Sequence, residues 1–284
     1  GLAITILGLG QLGDGNFLHG FDKIVQDTPE KLNGFGKVDS DVVPWPTLFF
    51  GMFFKNLFFW CANQMIVQKA LAAKNLKESQ KGAIYLSLFK VFGPLFTVLP
   101  GVVAFNYFNG SIDKSDNAYP ELVTSVLPEW AFGLFGAVIF GAILSSFVGS
   151  LNSTTTLLTL DFYKPIFGKN KSDKHIARVG HIATVVIGVI VVALAPVISL
   201  FPSGLYAVVQ QFNGVYSMPV LALILVAFFS KRTSKLGAKV TLFTHIILYA
   251  IISFVFTEIN YLYTFSVLFF VDLIIILIFN KVKP

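Results

Sequence analysis

Apolar residues in this chain gather into seven long runs, at 47–67, 84–108, 130–160, 182–200, 205–229, 240–256 and 261–279. Each run approaches the roughly 20 residues that an α-helix needs to cross a bilayer, so the pattern predicts seven membrane-spanning helices. A shorter apolar stub opens the chain, without the basic n-region or the cleavage-type ending of a signal peptide. It reads as the tail of a truncated transmembrane helix over 1–13, and the absence of an initiator Met fits the C-terminal part of a longer protein. Residues 14–46 are polar, rich in Gly, Asp and Lys and broken by Pro29, Pro44 and Pro46, as expected of an external loop. A second external loop is expected at 110–129. Uniformly apolar spans are expected to face lipid, and by this test 240–256 and 261–279 are peripheral despite His245 and Asp272.

Composition agrees with the pattern. Of 284 residues 55% are hydrophobic and 13% charged, Phe alone contributes 31, and the mean hydropathy is +0.75. Such a chain cannot cover a water-soluble globule with polar groups, so it reads as an integral, multi-pass protein of the cell membrane. The formal charge of +6 does not call for a nucleic acid. Lys69, Lys74, Lys77 and Lys81 follow the first run, Lys164, Lys169, Lys171, Lys174 and Arg178 the third, Lys231, Arg232, Lys235 and Lys239 the fifth, and Lys281 and Lys283 end the chain. The alternate loops carry most of the Asp and Glu. The positive-inside bias therefore places the basic loops and the C-terminus in the cytoplasm. The single cysteine, Cys61, excludes an intrachain disulfide framework.

Polar side chains inside a span cost about 3 kcal/mol or more when charged, and mark a pathway unless a neighbour satisfies them. In the third run Ala142, Ser145 and Ser146 stand at i, i+3 and i+4, so one side of a helix presents two hydroxyl oxygens that suit a dehydrated cation. Gly133, Ala137, Gly141, Ser145 and Gly149 also recur every four residues, which is equally the small-residue stripe of close helix packing. Asn56 lies beside Phe58, Phe59 and Trp60, amide and aromatic faces that suit a sugar ring, or an amide that a neighbouring carbonyl satisfies. Lys90 either snorkels to the inner surface or offers its donors to substrate hydroxyls, and Pro94 and Pro100 are expected to kink its helix. Gln210, Gln211 and Asn213, followed by Gly214 and Pro219, suggest an interrupted helix around a site, or interhelical hydrogen bonding alone. A phosphate loop and a Cys/His metal constellation are missing from the pattern, and His19, His175, His181 and His245 are scattered, so the chain is not expected to be an enzyme. No cofactor is expected apart from a coupling ion.

Four motifs together resemble the sodium:solute symporter family, nearest its sugar cotransporters: NLFFWCANQMIVQKALAAKN (56–75), LFKVFGPLFTVLPGVVA (88–104), SSFVGSLNSTTTLLTLDFYK (145–164) and FFSKRTSKLGA (228–238). The resemblance implies an all-α membrane protein with a LeuT-like core of two inverted five-helix repeats. On that plan 47–229 is the second inverted repeat and 230–284 two peripheral transmembrane helices. It also implies a sodium site at the Ala142 carbonyl and the Ser145 and Ser146 hydroxyls, and sugar contacts from Asn56, Lys90 and Gln210, with Trp60 nearby and Tyr206 on the outer side. Phe59 stands at the inner aromatic gate, often Tyr in sugar-transporting relatives; stacking survives that change and a hydroxyl hydrogen bond does not. Lys55 departs from the apolar residue expected there. The function implied is sodium-coupled symport of a sugar or sugar-like polyol by alternating access, with small solute, sodium and the bilayer as partners. The alternatives are a non-transporting membrane sugar sensor, or a sodium symporter for an inositol, a sialic acid or a carboxylate vitamin.

Overall fold

A computed structural model describes residues 1–40, 43–198, 205–230, 233–256 and 258–282, except for the side chains of 198, 205–208 and 254. The Tyr206 side chain, and Lys231, Arg232 and Lys283 of the basic loops, thus lie outside the described residues. Among the described residues the backbone is helical, with one isolated bridge between Gly36 and Pro44.

The chain opens with α1 (Leu2–Leu12) and α2 (Phe17–Asp27), the second capped by the Asn16 side chain, which accepts the Leu18 N–H. The first apolar run does not make one span. It divides into α3 (Gly51–Cys61) and α4 (Gln64–Leu71), because the Asn63 side chain accepts the Met65 N–H at 2.9 Å and starts a new helix. The second run gives α5 (Leu76–Val91), α6 (Gly93–Thr97) and α7 (Leu99–Tyr107), bent by 53° between Val91 and Gly93. Pro94 and Pro100, which have no N–H to donate, sit in the first turns of α6 and α7, where the kink was expected. The segment expected to be a second external loop carries α8 (Ala118–Val126).

Next, α9 (Glu129–Thr156) runs through a π-helical stretch, Leu157–Tyr163, into the single turn α10 (Lys164–Ile166), giving 38 continuous residues. Then come α11 (Asp173–Ile198), α12 (Leu205–Phe229), α13 (Lys235–Val255) and α14 (Tyr261–Val282). Five helices among the described residues are long and apolar enough to cross a membrane, or six if the bent pair counts as one span. The seventh expected span is the first run, shortened by its break at Ala62 and Asn63. The interruption expected near Gly214 is absent: α12 is one helix with Pro219 inside it.

Two compact units result. In the unit made of 1–33 and 68–204, α1 packs on α2, α7 and α8 around Ile4, Ile24, Val103 and Leu122, while α9 lies against α11. In the unit made of 34–67 and 205–284, α12, α13 and α14 close around Met218, Leu221, Tyr249, Phe265 and Phe269, and α3 packs on α12 and α14. Burying side chains such as these stabilises the bundle by about 1.5–3 kcal/mol each when the alternative is water, and mainly through close packing when it is lipid.

Candidate functional site

The expected cation ligands Ala142, Ser145 and Ser146 are exposed on α9. Two glycines of the small-residue stripe are open too, since a Cβ at Gly133 or Gly141 would meet nothing within 4 Å among the described residues. Ser145 precedes Asn152 by seven residues, about two turns, so both lie on one side of α9. Asn152 begins a cavity of about 340 Å³ lined by Thr155, Thr156, Thr159, Lys164 and His181, between α9 with its π-helical continuation and α11. Most hydroxyls near it turn back on their own helix: Thr154 Oγ1 donates to the Ser150 carbonyl at 3.0 Å and Thr155 Oγ1 to the Leu151 carbonyl at 2.9 Å. Thr159 Oγ1 is different, buried with no hydrogen-bond partner among the described residues. Gln68 reaches the same region, donating to the Gly149 carbonyl at 3.4 Å.

Lys90 belongs to this unit, exposed in the last turn of α5 just before the bend, where a cation is favoured by the helix C-terminus.

The other expected solute contacts fall in the second unit. Asn56 donates from Nδ2 to the Met52 carbonyl at 2.8 Å and is otherwise exposed on α3. Its neighbours Phe59 and Trp60 meet edge to face, 4.9 Å apart, with Phe59 38% exposed. On α12 the buried Gln210 starts a polar ladder: Asn213 Nδ2 donates to Gln210 Oε1 at 3.4 Å, and Tyr216 OH donates to Asn213 Oδ1 at 2.9 Å. Phe58 of α3 packs edge-on against Tyr216, 5.8 Å between ring centres. Helices α3 and α12 are thus brought together, whereas Lys90, Ala142, Ser145 and Ser146 belong to the other unit. Lys55 is half-buried on α3.

His245 and Asp272 stand on the two helices expected to be peripheral, yet their side chains do not face outward. Both are fully buried, with His245 Nδ1 2.7 Å from Asp272 Oδ2 and Nε2 3.1 Å from the Gly214 carbonyl of α12. The Tyr249 ring stacks parallel to the imidazole at 5.8 Å, and its hydroxyl donates to the Gln211 carbonyl at 2.7 Å. The signal was present, because an ionisable residue within a span is by default a candidate for function.

A model of the sodium:solute symporter family matches residues 14–244. The uncharacterized symporter YidK of Escherichia coli (strain K12) is 38% identical over 285 residues, covering 100% of this chain and 50% of that protein. The sodium/glucose cotransporter of Vibrio parahaemolyticus is 33% identical over 204 residues, covering 66% of this chain and 37% of that protein. Human sodium/myo-inositol cotransporter 2 is 31% identical over 213 residues, covering 69% and 31%. Among solved structures, the substrate-bound outward-open state of a Na+-coupled sialic acid symporter superposes with a TM-score of 0.81 at 20% identity, covering 100% of this chain and 59% of that one. The chain spans half the length of the first of these relatives and about a third of the others. The likeness to the solved structure bears out the all-α, LeuT-like transporter fold.

Proposed function

The chain belongs to the sodium:solute symporter family, a family of multi-pass membrane transporters rather than enzymes, and from that premise we propose that the whole protein couples inward sodium movement to uptake of a small solute, a sugar or sugar-like polyol. The observation that carries this reading is the polar side of α9. The Ser145 hydroxyl, beside the Ala142 carbonyl and the Ser146 hydroxyl, stands two turns before a hydroxyl-lined cavity whose far end carries Lys164, paired with Asp173 at 3.6 Å. Uncharged oxygens on one helix suit an ion that must bind and leave in every cycle, and the cavity supplies polar partners on its way to the basic cytoplasmic loop. Sodium is the coupling ion in this reading, and no other cofactor takes part.

Solute recognition is assigned to Asn56, Phe59, Trp60 and Gln210, with Lys90 and Tyr206 completing the set by family resemblance. Amides and aromatic faces fit hydroxylated rings, which is how the names of the glucose and myo-inositol cotransporters bear on substrate class. Lys90, together with the sialic acid symporter's likeness, favours an acidic sugar as the second candidate. Solute and ion drive alternating access only through their differential affinity for the outward and inward states. The deciding experiment reconstitutes the whole protein in liposomes and follows labelled glucose, galactose, myo-inositol and sialic acid in sodium and in choline. At least one is expected to accumulate only in sodium; equal uptake in both media overturns the coupling.

A further inference from the structure

Helices α13 and α14 lie outside the transport core on the family plan, yet they bury the most costly polar groups of their unit. The chemistry of the contacts fixes how protons are arranged there. A backbone carbonyl only accepts, so His245 Nε2 carries a hydrogen and donates it to Gly214. At 2.7 Å, Nδ1 and Asp272 Oδ2 cannot face each other as two lone pairs, so one further proton lies between them. Whether drawn as imidazolium and carboxylate or as imidazole and carboxylic acid, the pair is neutral as a whole and holds the ring in one orientation. Asp272 Oδ1 has no hydrogen-bond partner among the described residues, so the pair's directed bonding runs through His245 to α12.

Tyr249 makes a second attachment one turn away, on the Gln211 carbonyl. Two carbonyls of a single turn of α12, Gln211 and Gly214, are therefore gripped by α13, with α14 bracing the grip through Asp272. The approach is close enough to require glycine, since a Cβ at Gly214 would run into the Phe265 ring and the Tyr249 phenol. The gripped turn lies between Gln210 and Tyr216 and includes Asn213, so it carries the polar ladder. Pro219 lies one turn further on and cannot donate to the Val215 carbonyl, which leaves α12 locally weaker and raises the value of an external hold.

We infer that His245, Asp272 and Tyr249 are positioning residues for solute binding, holding the Gln210–Asn213–Tyr216 face of α12 through the Gln211 and Gly214 carbonyls. This rests on the assignment of Gln210 to the solute site, and the test separates the two. Whole protein in nanodiscs is compared with His245→Leu, Tyr249→Phe, Asp272→Leu and Asp272→Asn, reading amide hydrogen exchange over 211–218 and, in liposomes, the half-saturation concentration and maximal rate of sodium-driven solute uptake per folded transporter. Asparagine can place Nδ2 where Oδ2 stood, donate to Nδ1 and keep Nε2–H on Gly214, so Asp272→Asn is expected to match wild type in both readouts.

His245→Leu and Asp272→Leu should speed exchange over that turn at least tenfold and raise half-saturation about tenfold, with the maximal rate within twofold. Tyr249→Phe, which keeps the packing, should raise half-saturation about threefold and remains informative if the Leu variants fail to fold. A purely structural pair would instead lower the amount of folded protein and leave half-saturation where it was, which would overturn the inference. So would Asp272→Asn behaving like Asp272→Leu, or unchanged exchange in every variant. If wild-type protein shows no sodium-dependent uptake, it is the functional reading that fails, and the positioning role is then decided by the exchange arm alone.

Discussion

At the scale of single residues, the α9 hydroxyls separate two explanations of one sequence stripe. A ligand oxygen facing a bare cation contributes on the order of 1.5–3 kcal/mol, by analogy with hydrogen bonds to charged groups. Ser145→Ala or Ser146→Ala is therefore expected to raise the sodium concentration for half-maximal uptake by tenfold or more. Thr154→Ala should change it less than twofold, because the Thr154 hydroxyl is already committed to the Ser150 carbonyl. If both Ser variants keep wild-type sodium dependence, the stripe serves helix packing alone. In the solute set, Gln210→Ala should weaken solute binding about tenfold, read as the half-saturation concentration of uptake, since it removes a buried amide and leaves Asn213 Nδ2 without its acceptor. Asn56, Lys90, Gln210 and the Ser145–Ser146 pair stand out in the sequence as candidates because each is polar in an apolar run. Asp272 was equally polar, but its partner lies 27 residues away on another helix, and no periodicity along either helix announces that pairing.

At the scale of elements, apolar length alone located α9, α11, α12, α13 and α14, and a proline announced the bend between α5 and α6. Hydropathy could not show the break between α3 and α4, because the apolar run continues through it and the stop is made by one local hydrogen bond, donated by the Met65 N–H to the Asn63 side chain. Nor could averaged hydropathy tell which side of α13 or α14 turns inward, where single residues, His245 and Asp272, mark the buried side. Glycine provides the test of how those helices meet. Gly214→Ala should lower thermal stability measurably, by about 1–3 kcal/mol for an overpacked core position, because the neighbours are two aromatic rings wedged between helices. Gly133→Ala, where a Cβ meets open space within this chain, is the control, and thermal unfolding of both variants in one detergent makes the comparison.

At the scale of the whole molecule, charge bears on both the expected orientation and the proposed driving force. Lysines and arginines concentrate in alternate loops, so the C-terminus is expected on the cytoplasmic side, and a tag placed there should become accessible only after permeabilisation of intact cells. If one sodium ion enters per cycle with a neutral solute, an inside-negative potential of about 100 mV contributes about 2.3 kcal/mol. That corresponds to about fiftyfold in the accumulation ratio at about 1.4 kcal/mol per decade. Imposing the potential with a potassium gradient and valinomycin should raise accumulation accordingly, and an acidic solute moved with one sodium should show no such gain.

The π-helical stretch Leu157–Tyr163 has a consequence for how the long rod on which it sits can change by insertion or deletion. An ordinary helix advances about 100° per residue, while each wider loop absorbs an additional residue without lengthening the rod in proportion. The segment is therefore a phase shifter: it sets the angular offset between the half that carries the serines and the end that carries Lys164. Deleting one residue there would leave composition, hydropathy and span count almost untouched, yet swing the inner end around the axis and misalign it with everything upstream.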